Sequence, residues 1–199
     1  MKLKFYKAKE RGHCGPCSFI NLLGIKGSLK LERSLIESGR AKPFHNSDWT
    51  SFLIWADLYK KDLMVYLTTA KFHEKKYERL GRWSNYPKKE FEKLRLEAKK
   101  RYDRLLEKYK SKIKIIKDPL KKLDELLGDG KNVAFAINTF YYRKKPFMPH
   151  FFVIYKKEGK YYHIMDSAYG LIKLTRVQLK KGIELNKKSG RYPQIIVEK

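Results

Sequence analysis

The spacing of apolar positions divides the chain into three stretches. In the first, Ser18 to Leu23 forms a largely apolar run closed by Gly24, and Leu29 to Ser38 keeps helical spacing until Gly39. Trp49 to Lys60 follows, with Phe52, Trp55 and Leu58 on one stripe and Ser47 or Asp48 placed to cap it. These patterns predict three helices, then a strand from Leu63 to Thr69. Residues 2–7, ahead of them, read as a short strand or extended arm. The second stretch, His73 to Lys117, is dominated by Lys, Arg and Glu. Within it Phe91, Leu94, Ala98, Tyr102, Leu105, Tyr109 and Ile113 recur at helical spacing, which predicts one long amphipathic helix. A helix covering the core is the favoured reading of that stripe, and a dimerisation or nucleic-acid arm is the sharper one.

The third stretch is β-rich. Asp118-Pro119 opens a short helix closed by Gly128, with cap and proline where helix starts favour them. Strands follow at Val133 to Tyr141, His150 to Tyr155, Tyr161 to Met165 and Leu171 to Leu174. A helix from Thr175 to about Gly182 and a strand near Gln194 to Val197 complete it. Helices first and strands later, with one antiparallel hairpin, give the α+β class. No internal repeat is visible.

Composition bounds this reading. A chain of 199 residues with 42% hydrophobic positions can bury a real core, so a disordered basic tail is excluded. One domain over 1–199, with the charged stretch as an insertion, is the expected organisation. No apolar run approaches the roughly 20 residues of a membrane span, and MKLKFYKAKERG lacks the apolar stretch of a secretory signal. A soluble, cytoplasmic protein is therefore expected. Lys+Arg 47 against Asp+Glu 21 leaves a formal net charge of +26, a field that attracts nucleic acid or an anionic membrane. A Lys-rich surface with Gln only at 178 and 194 is equally the composition of a thermophile protein, so charge does not choose the function.

The two cysteines stand together in Cys14-Gly15-Pro16-Cys17, between an extended segment and a helix. The tetrapeptide resembles the thioredoxin active site, where the first thiol is acidified at a helix start and the second resolves a mixed disulfide. A thioredoxin-like domain continues as strand, crossover helix and cis-proline. Here three helices follow, and Pro43 lies in the turn Lys42-Pro43-Phe44 with no strand after it. A metal site would need more than the two ligands of one Cys-x-x-Cys. His13, His45, His73, His150 and His163 are scattered, and no second pair has zinc-like spacing, so no metal or other cofactor is expected. The third reading is a nucleophile: Cys14 at a helix mouth, where the dipole favours a thiolate and small neighbours admit a substrate carbonyl. Two buried thiols are the bland alternative. A thiolate nucleophile needs a histidine beside it and a group to orient that histidine.

The segment from Pro149 to Asp166 supplies a candidate pair. Lys157-Glu158-Gly159 reads as a three-residue hairpin loop, and centring it on Glu158 sets Tyr155 opposite Tyr161, Phe152 opposite Ile164, His163 opposite Val153 and His150 opposite Asp166. Directly opposed β-carbons lie about 4.5–5.5 Å apart, close enough for the carboxylate to orient the imidazole, whereas a slip of one residue puts the two on opposite faces.

Taken together, Cys14-Gly15-Pro16 opening a helix, the strand Gly130-Lys-Asn-Val-Ala-Phe-Ala-Ile137, His150-Phe-Phe-Val-Ile and Asp166-Ser-Ala-Tyr-Gly170 resemble the papain-like cysteine peptidases that process bacteriocin leaders, and their stand-alone relatives. The resemblance covers about residues 8–72 and 118–198. It implies a papain-like fold with N-terminal helices carrying the cysteine against a C-terminal antiparallel sheet. It also implies a triad of Cys14, His150 and Asp166 acting on a peptide or amide substrate. The family places a glutamine several residues before the cysteine to donate to the oxyanion; residues 1–13 hold no Gln or Asn, only Lys7, Lys9, Arg11 and His13. Loss of such a donor costs on the order of 10²–10³ in rate. Two other functions fit the residues: a nucleic-acid- or partner-binding protein with a vestigial triad, and a Cys14/Cys17 dithiol oxidoreductase.

Overall fold

A computed structural model describes residues 5–10, 12–39, 48–73, 87–139 and 149–199. The described residues form six helices and a seven-stranded, mostly antiparallel sheet, so the mixture of α and β expected from the pattern is present. In chain order the elements are α1 (Cys14–Leu23), α2 (Leu29–Gly39), α3 (Trp49–Leu58), β1 (Leu63–Leu67), α4 (Lys88–Lys108), β2 (Ile113–Ile115), α5 (Pro119–Gly128), β3 (Val133–Asn138), β4 (Pro149–Glu158), β5 (Tyr161–Asp166), β6 (Gly170–Thr175), α6 (Arg176–Lys188) and β7 (Gln194–Glu198). The strand order is β2-β1-β7-β3-β4-β5-β6. No helix among the described residues is long and apolar enough to cross a membrane.

Alternation along the central strands builds two cores. Ala134, Ala136, Phe151 and Val153 face Phe19, Phe52 and Trp55 of α1 and α3. Val133, Phe135, Ile137, Phe152 and Ile154 face Leu123 of α5 and Leu179 and Ile183 of α6. A sheet covered on both faces explains why β3 reads as a continuous apolar run, since every side chain in it is buried.

Helix ends follow local chemistry. Asp48 caps α3 and donates its own N–H to Ser51 Oγ in return, Asp118 caps α5 ahead of Pro119, and Thr175 with Gln178 forms a capping box on α6. Several boundaries depart from the sequence pattern. The amphipathic stripe does not stay helical to Ile113: α4 ends at Lys108, and Ile113 begins β2, which pairs in parallel with β1. Phe91, Ala98 and Tyr102 are buried beneath α4, so the helix covers the core, while Glu92–Arg95 and Lys99–Asp103 pair along its outer side. Residues 5–8 belong to no strand; positions 2–4, Arg11, Pro43, His45, Ser47 and 140–141 lie outside the described residues. Helix α6 continues past Gly182 to Lys188, because that glycine serves close approach instead of termination.

A β-carbon built at Gly182 would lie 2.6 Å from Ile137 Cδ1 and 2.8 Å from the Asn138 carbonyl oxygen. Ile137 is the β3 partner of His150. Gly182→Ala is expected to lower stability by about 1–3 kcal/mol through overpacking, seen as a lower midpoint in urea or thermal unfolding.

Candidate active site

Helix α1 begins four residues earlier than its apolar run suggests, with Cys14 as its first residue and Pro16 inside the first turn, where a missing N–H costs nothing. Backbone N–H groups of a first turn have no acceptor within their helix, and the helix dipole adds positive potential there. Neither cysteine is in a disulfide; Cys14 is half-buried and Cys17 fully buried.

Strands β4 and β5 bring His150 and Asp166 to the same end of the sheet, by a route the sequence does not show. Gly159 and Lys160 alone form the connection, Glu158 pairing directly with Tyr161. Gly159 has φ 55 and Lys160 is not left-handed, which is the pattern of a type II′ turn. The expected three-residue loop centred on Glu158 is therefore not formed, and none of its pairings occurs. His163 faces Lys156, Ile164 faces Ile154 and Met165 faces Val153. Tyr155 is an extra residue in β4, where the register shifts between Ile154 and Lys156.

That bulge decides the geometry of the pair. Without it the turn register would carry on and set Asp166 opposite Val153, on the other face from His150. With it, one further step of the shifted register sets Asp166 opposite Phe152, two residues from His150 and on its face. The two side chains meet diagonally instead of directly, with His150 Nε2 3.0 Å from Asp166 Oδ1.

Asp166 is fixed before the histidine reaches it. Its Oδ1 also accepts the N–H groups of Ala168 at 2.9 Å and Tyr169 at 3.2 Å, and the turn closes at Gly170 with φ 90. The carboxylate is 0% exposed and the imidazole 5%, so the pair sits in a medium of low polarity. A carboxylate only accepts, so His150 Nε2–H donates and Nδ1 is left for a second partner. That partner is the Cys14 side chain, which is within hydrogen-bonding reach of the ring. Burial alone would push the His150 pKa down. The negative charge of a Cys14 thiolate, the hydrogen bonds to Asp166 and Cys14, and the Asp166 charge outweigh it and hold the imidazole at about 9.

The segment before Cys14 is clamped from three sides. Tyr6 exchanges hydrogen bonds with the Asn21 side chain of α1, at 2.7 and 2.9 Å, and Ala8 N–H donates to the Ser167 carbonyl at 2.9 Å. Glu32 of α2, 0% exposed, takes the Tyr6 hydroxyl, the Lys9 N–H at 3.1 Å and His13 Nδ1 at 2.9 Å. The His13 ring is thus held between Glu32 and Glu10, while Lys7 and Lys9 are exposed. Of the upstream side chains considered as oxyanion donors, His13 is committed elsewhere and Arg11 lies outside the described residues. Glu32 is the group that sequence reasoning missed. Its signal was a charge on the buried stripe it shares with Leu35 and Gly39.

Cys17 faces this cluster. Burial, the Glu32 charge and Cys14 all push its thiol pKa up, and Glu32 also accepts a hydrogen bond from it. Among the described residues no three His, Cys, Asp or Glu side chains gather in an arrangement able to hold a metal ion. His163, opposite Lys156, packs against Tyr155 and pairs with Glu158 at 3.1 Å, away from the histidine–aspartate pair.

Because the folded pKa of His150 lies above its ordinary 6.5, the protonated ring stabilises the fold fully below about pH 6.5, and that contribution is lost as pH rises through about 9. The His150 ring resonances in nuclear magnetic resonance are expected to titrate near 9 and to move down in Asp166→Asn. In urea unfolding, the stability gap between the native protein and His150→Gln should be wide at about pH 6 and close by about pH 10.

No protein-family model matches this chain, and no curated protein matches its sequence. The roles of these residues therefore follow from their chemistry and placement.

Proposed function

We propose that the chain is a papain-like thiol hydrolase, a peptidase or amidohydrolase that works through an acyl-cysteine intermediate. The observation that carries this reading is the chain of contacts from a helix-start thiol to a buried histidine to a buried, backbone-anchored aspartate. It has the three parts nucleophilic catalysis needs: a polarised nucleophile, a base in contact with it, and a group that orients the base.

In this mechanism His150 Nδ1 takes the Cys14 proton, and the thiolate and imidazolium persist as a pair. The sulfur attacks the substrate carbonyl carbon. The oxyanion that forms is met by first-turn N–H groups, that of Cys14 foremost, in place of the upstream glutamine the family uses. Collapse of the tetrahedral intermediate breaks the C–N bond, and the imidazolium gives its proton to the leaving amine. A water molecule, deprotonated by His150, then attacks the thioester and frees Cys14. Asp166 keeps Nε2–H engaged throughout, so that Nδ1 points at the sulfur. An amine in place of that water would complete an acyl transfer with the same groups. The positive field of the whole chain favours approach of an acidic substrate.

Alkylation of Cys14 by iodoacetamide, followed by mass spectrometry, tests the pair without a known substrate. The native protein should label rapidly at about pH 6, where an ordinary thiol with a pKa near 8.5 is almost entirely protonated. His150→Ala should slow labelling at that pH by about 10²-fold and restore an ordinary thiol pH profile. A peptide-like electrophile should also label Cys14 in preference to Cys17. Equal, slow labelling of both proteins at about pH 6 would sink the proposal.

A further inference from the structure

The proposed hydrolase leaves two buried groups idle: a second thiol, Cys17, one helical turn from Cys14, and the Glu32 carboxylate that accepts a hydrogen bond from Cys17. Cys17 is 0% exposed and Glu32 is 0% exposed. Glu32 is already supplied with donors by Tyr6, Lys9 and His13, so the Cys17 thiol is not needed to satisfy it. A buried apolar residue would fill the Cys17 position at less cost than a thiol aimed at a carboxylate. We infer that Cys17 is the resolving thiol of a reversible Cys14–Cys17 disulfide, that Glu32 takes the Cys17 proton, and that the bond shields Cys14 from irreversible oxidation by peroxides.

The covalent geometry permits the bond. Positions three apart on a helix carry β-carbons about 5–6 Å apart, and a disulfide requires about 3.5–4.5 Å, so the opening turn must tighten by about 1–2 Å. That turn has little to lose. Its ladder opens with a single bond from Cys17 N–H to the His13 carbonyl, and Pro16, between the cysteines, has no N–H. His13, whose carbonyl receives that bond, is tied through its ring to the same Glu32, so the base and the deformable turn are one unit.

The chemistry balances with a peroxide as oxidant. The Cys14 thiolate attacks one peroxide oxygen, the O–O bond breaks, and sulfur, oxidised by two electrons, becomes a sulfenic acid. The released hydroxide takes the His150 proton and leaves as water. Cys17 passes its proton to Glu32 and attacks the Cys14 sulfur; the S–O bond breaks, and the hydroxide leaves as a second water with the proton from Glu32. Two thiols and one hydrogen peroxide give one disulfide and two waters. A dithiol reductant returns both cysteines by exchange. The partial exposure of Cys14 and the full burial of Cys17 set the order: the peroxide meets Cys14 first, and Cys17 is reached only through it.

The protective purpose rests on Cys14 being the nucleophile of the proposed hydrolase, but the disulfide chemistry does not. Treatment of the full chain with a small excess of hydrogen peroxide, followed by thiol blocking and peptide mass mapping, reads it without any substrate. The native protein should lose two hydrogens, yield a peptide cross-linked between Cys14 and Cys17, and recover nearly all its labelling by iodoacetamide after dithiothreitol. Cys17→Ala should instead carry Cys14 to the sulfinic acid and recover at least about tenfold less. In Glu32→Gln the sulfenic acid, trapped with dimedone, should persist at least about tenfold longer than in the native protein.

A sulfinic Cys14 in the native protein with Cys17 still open to alkylation after unfolding would overturn the inference. Resolution as fast in Glu32→Gln as in the native protein would overturn the role of Glu32. A disulfide that forms normally in a protein whose Cys14 reactivity ignores His150 would sink the hydrolase and leave the switch standing.

Discussion

A single extra residue in one strand governs the candidate active site. Side chains of a strand alternate between two faces, so a histidine near the start of β4 and an aspartate at the end of β5 share a face only if the count between them has the right parity. The II′ turn at Gly159 and Lys160 sets the wrong parity, and the bulge at Tyr155 corrects it. Everything downstream depends on that correction. The Asp166 carboxylate, buried beyond the reach of solvent, would cost several kcal/mol if it lost the imidazole. The imidazole, oriented through Nε2, presents Nδ1 to the helix that opens with Cys14. The bulge is thus a small distortion of the ladder with a large chemical consequence, as is usual for bulges near functional sites.

Two buried carboxylates flank α1 with different duties. Asp166 is anchored by the turn that follows it and meets His150; Glu32 is anchored on α2 and gathers Tyr6, Lys9 and His13. Between them runs the segment of residues 5–10, bonded to Asn21 of α1 on one side and to Ser167, next to Asp166, on the other. The start of α1 is therefore held by hydrogen bonds to the two elements that carry the acids, not only by apolar packing. In the proposed hydrolase this rigidity keeps the sulfur and the imidazole in register; in the proposed switch it lets one turn of helix yield while its surroundings stay fixed.

The large positive charge occupies a different part of the molecule's economy. Along α4 basic and acidic side chains alternate on the outer surface, while Phe91, Ala98 and Tyr102 sit beneath. Asp57 gathers Lys108, Lys112 and Tyr109, tying the end of that helix to α3. Surface pairs of this kind contribute little to stability at moderate temperature. In the proposed hydrolase this positive field acts on the approach of an acidic substrate.

Much of the local structure was legible in the chain. The caps at Asp48 and Asp118 announced two helices, Gly159 announced a hairpin, and Cys14, His150 and Asp166 could be singled out because each residue type stood at an element end where its chemistry is usable. Such signals act over a few residues, where the sequence itself is the environment. Register was not legible, because a bulge is chosen by what the two strands bury against α1, α5 and α6, not by the turn alone. Nor was the place of β7, the last strand, between β1 and β3, where Ile196 faces Val65 on one side and Ala134 on the other. Nor was the role of Glu32 legible, because its partners Tyr6, Lys9 and His13 come from a segment far from it in the chain. The sequence by itself determined which groups could do chemistry and which elements carry them. Only the tertiary structure decided which groups meet, because contact across dozens of residues depends on strand parity and on the burial of polar partners together, and neither is written in any local pattern.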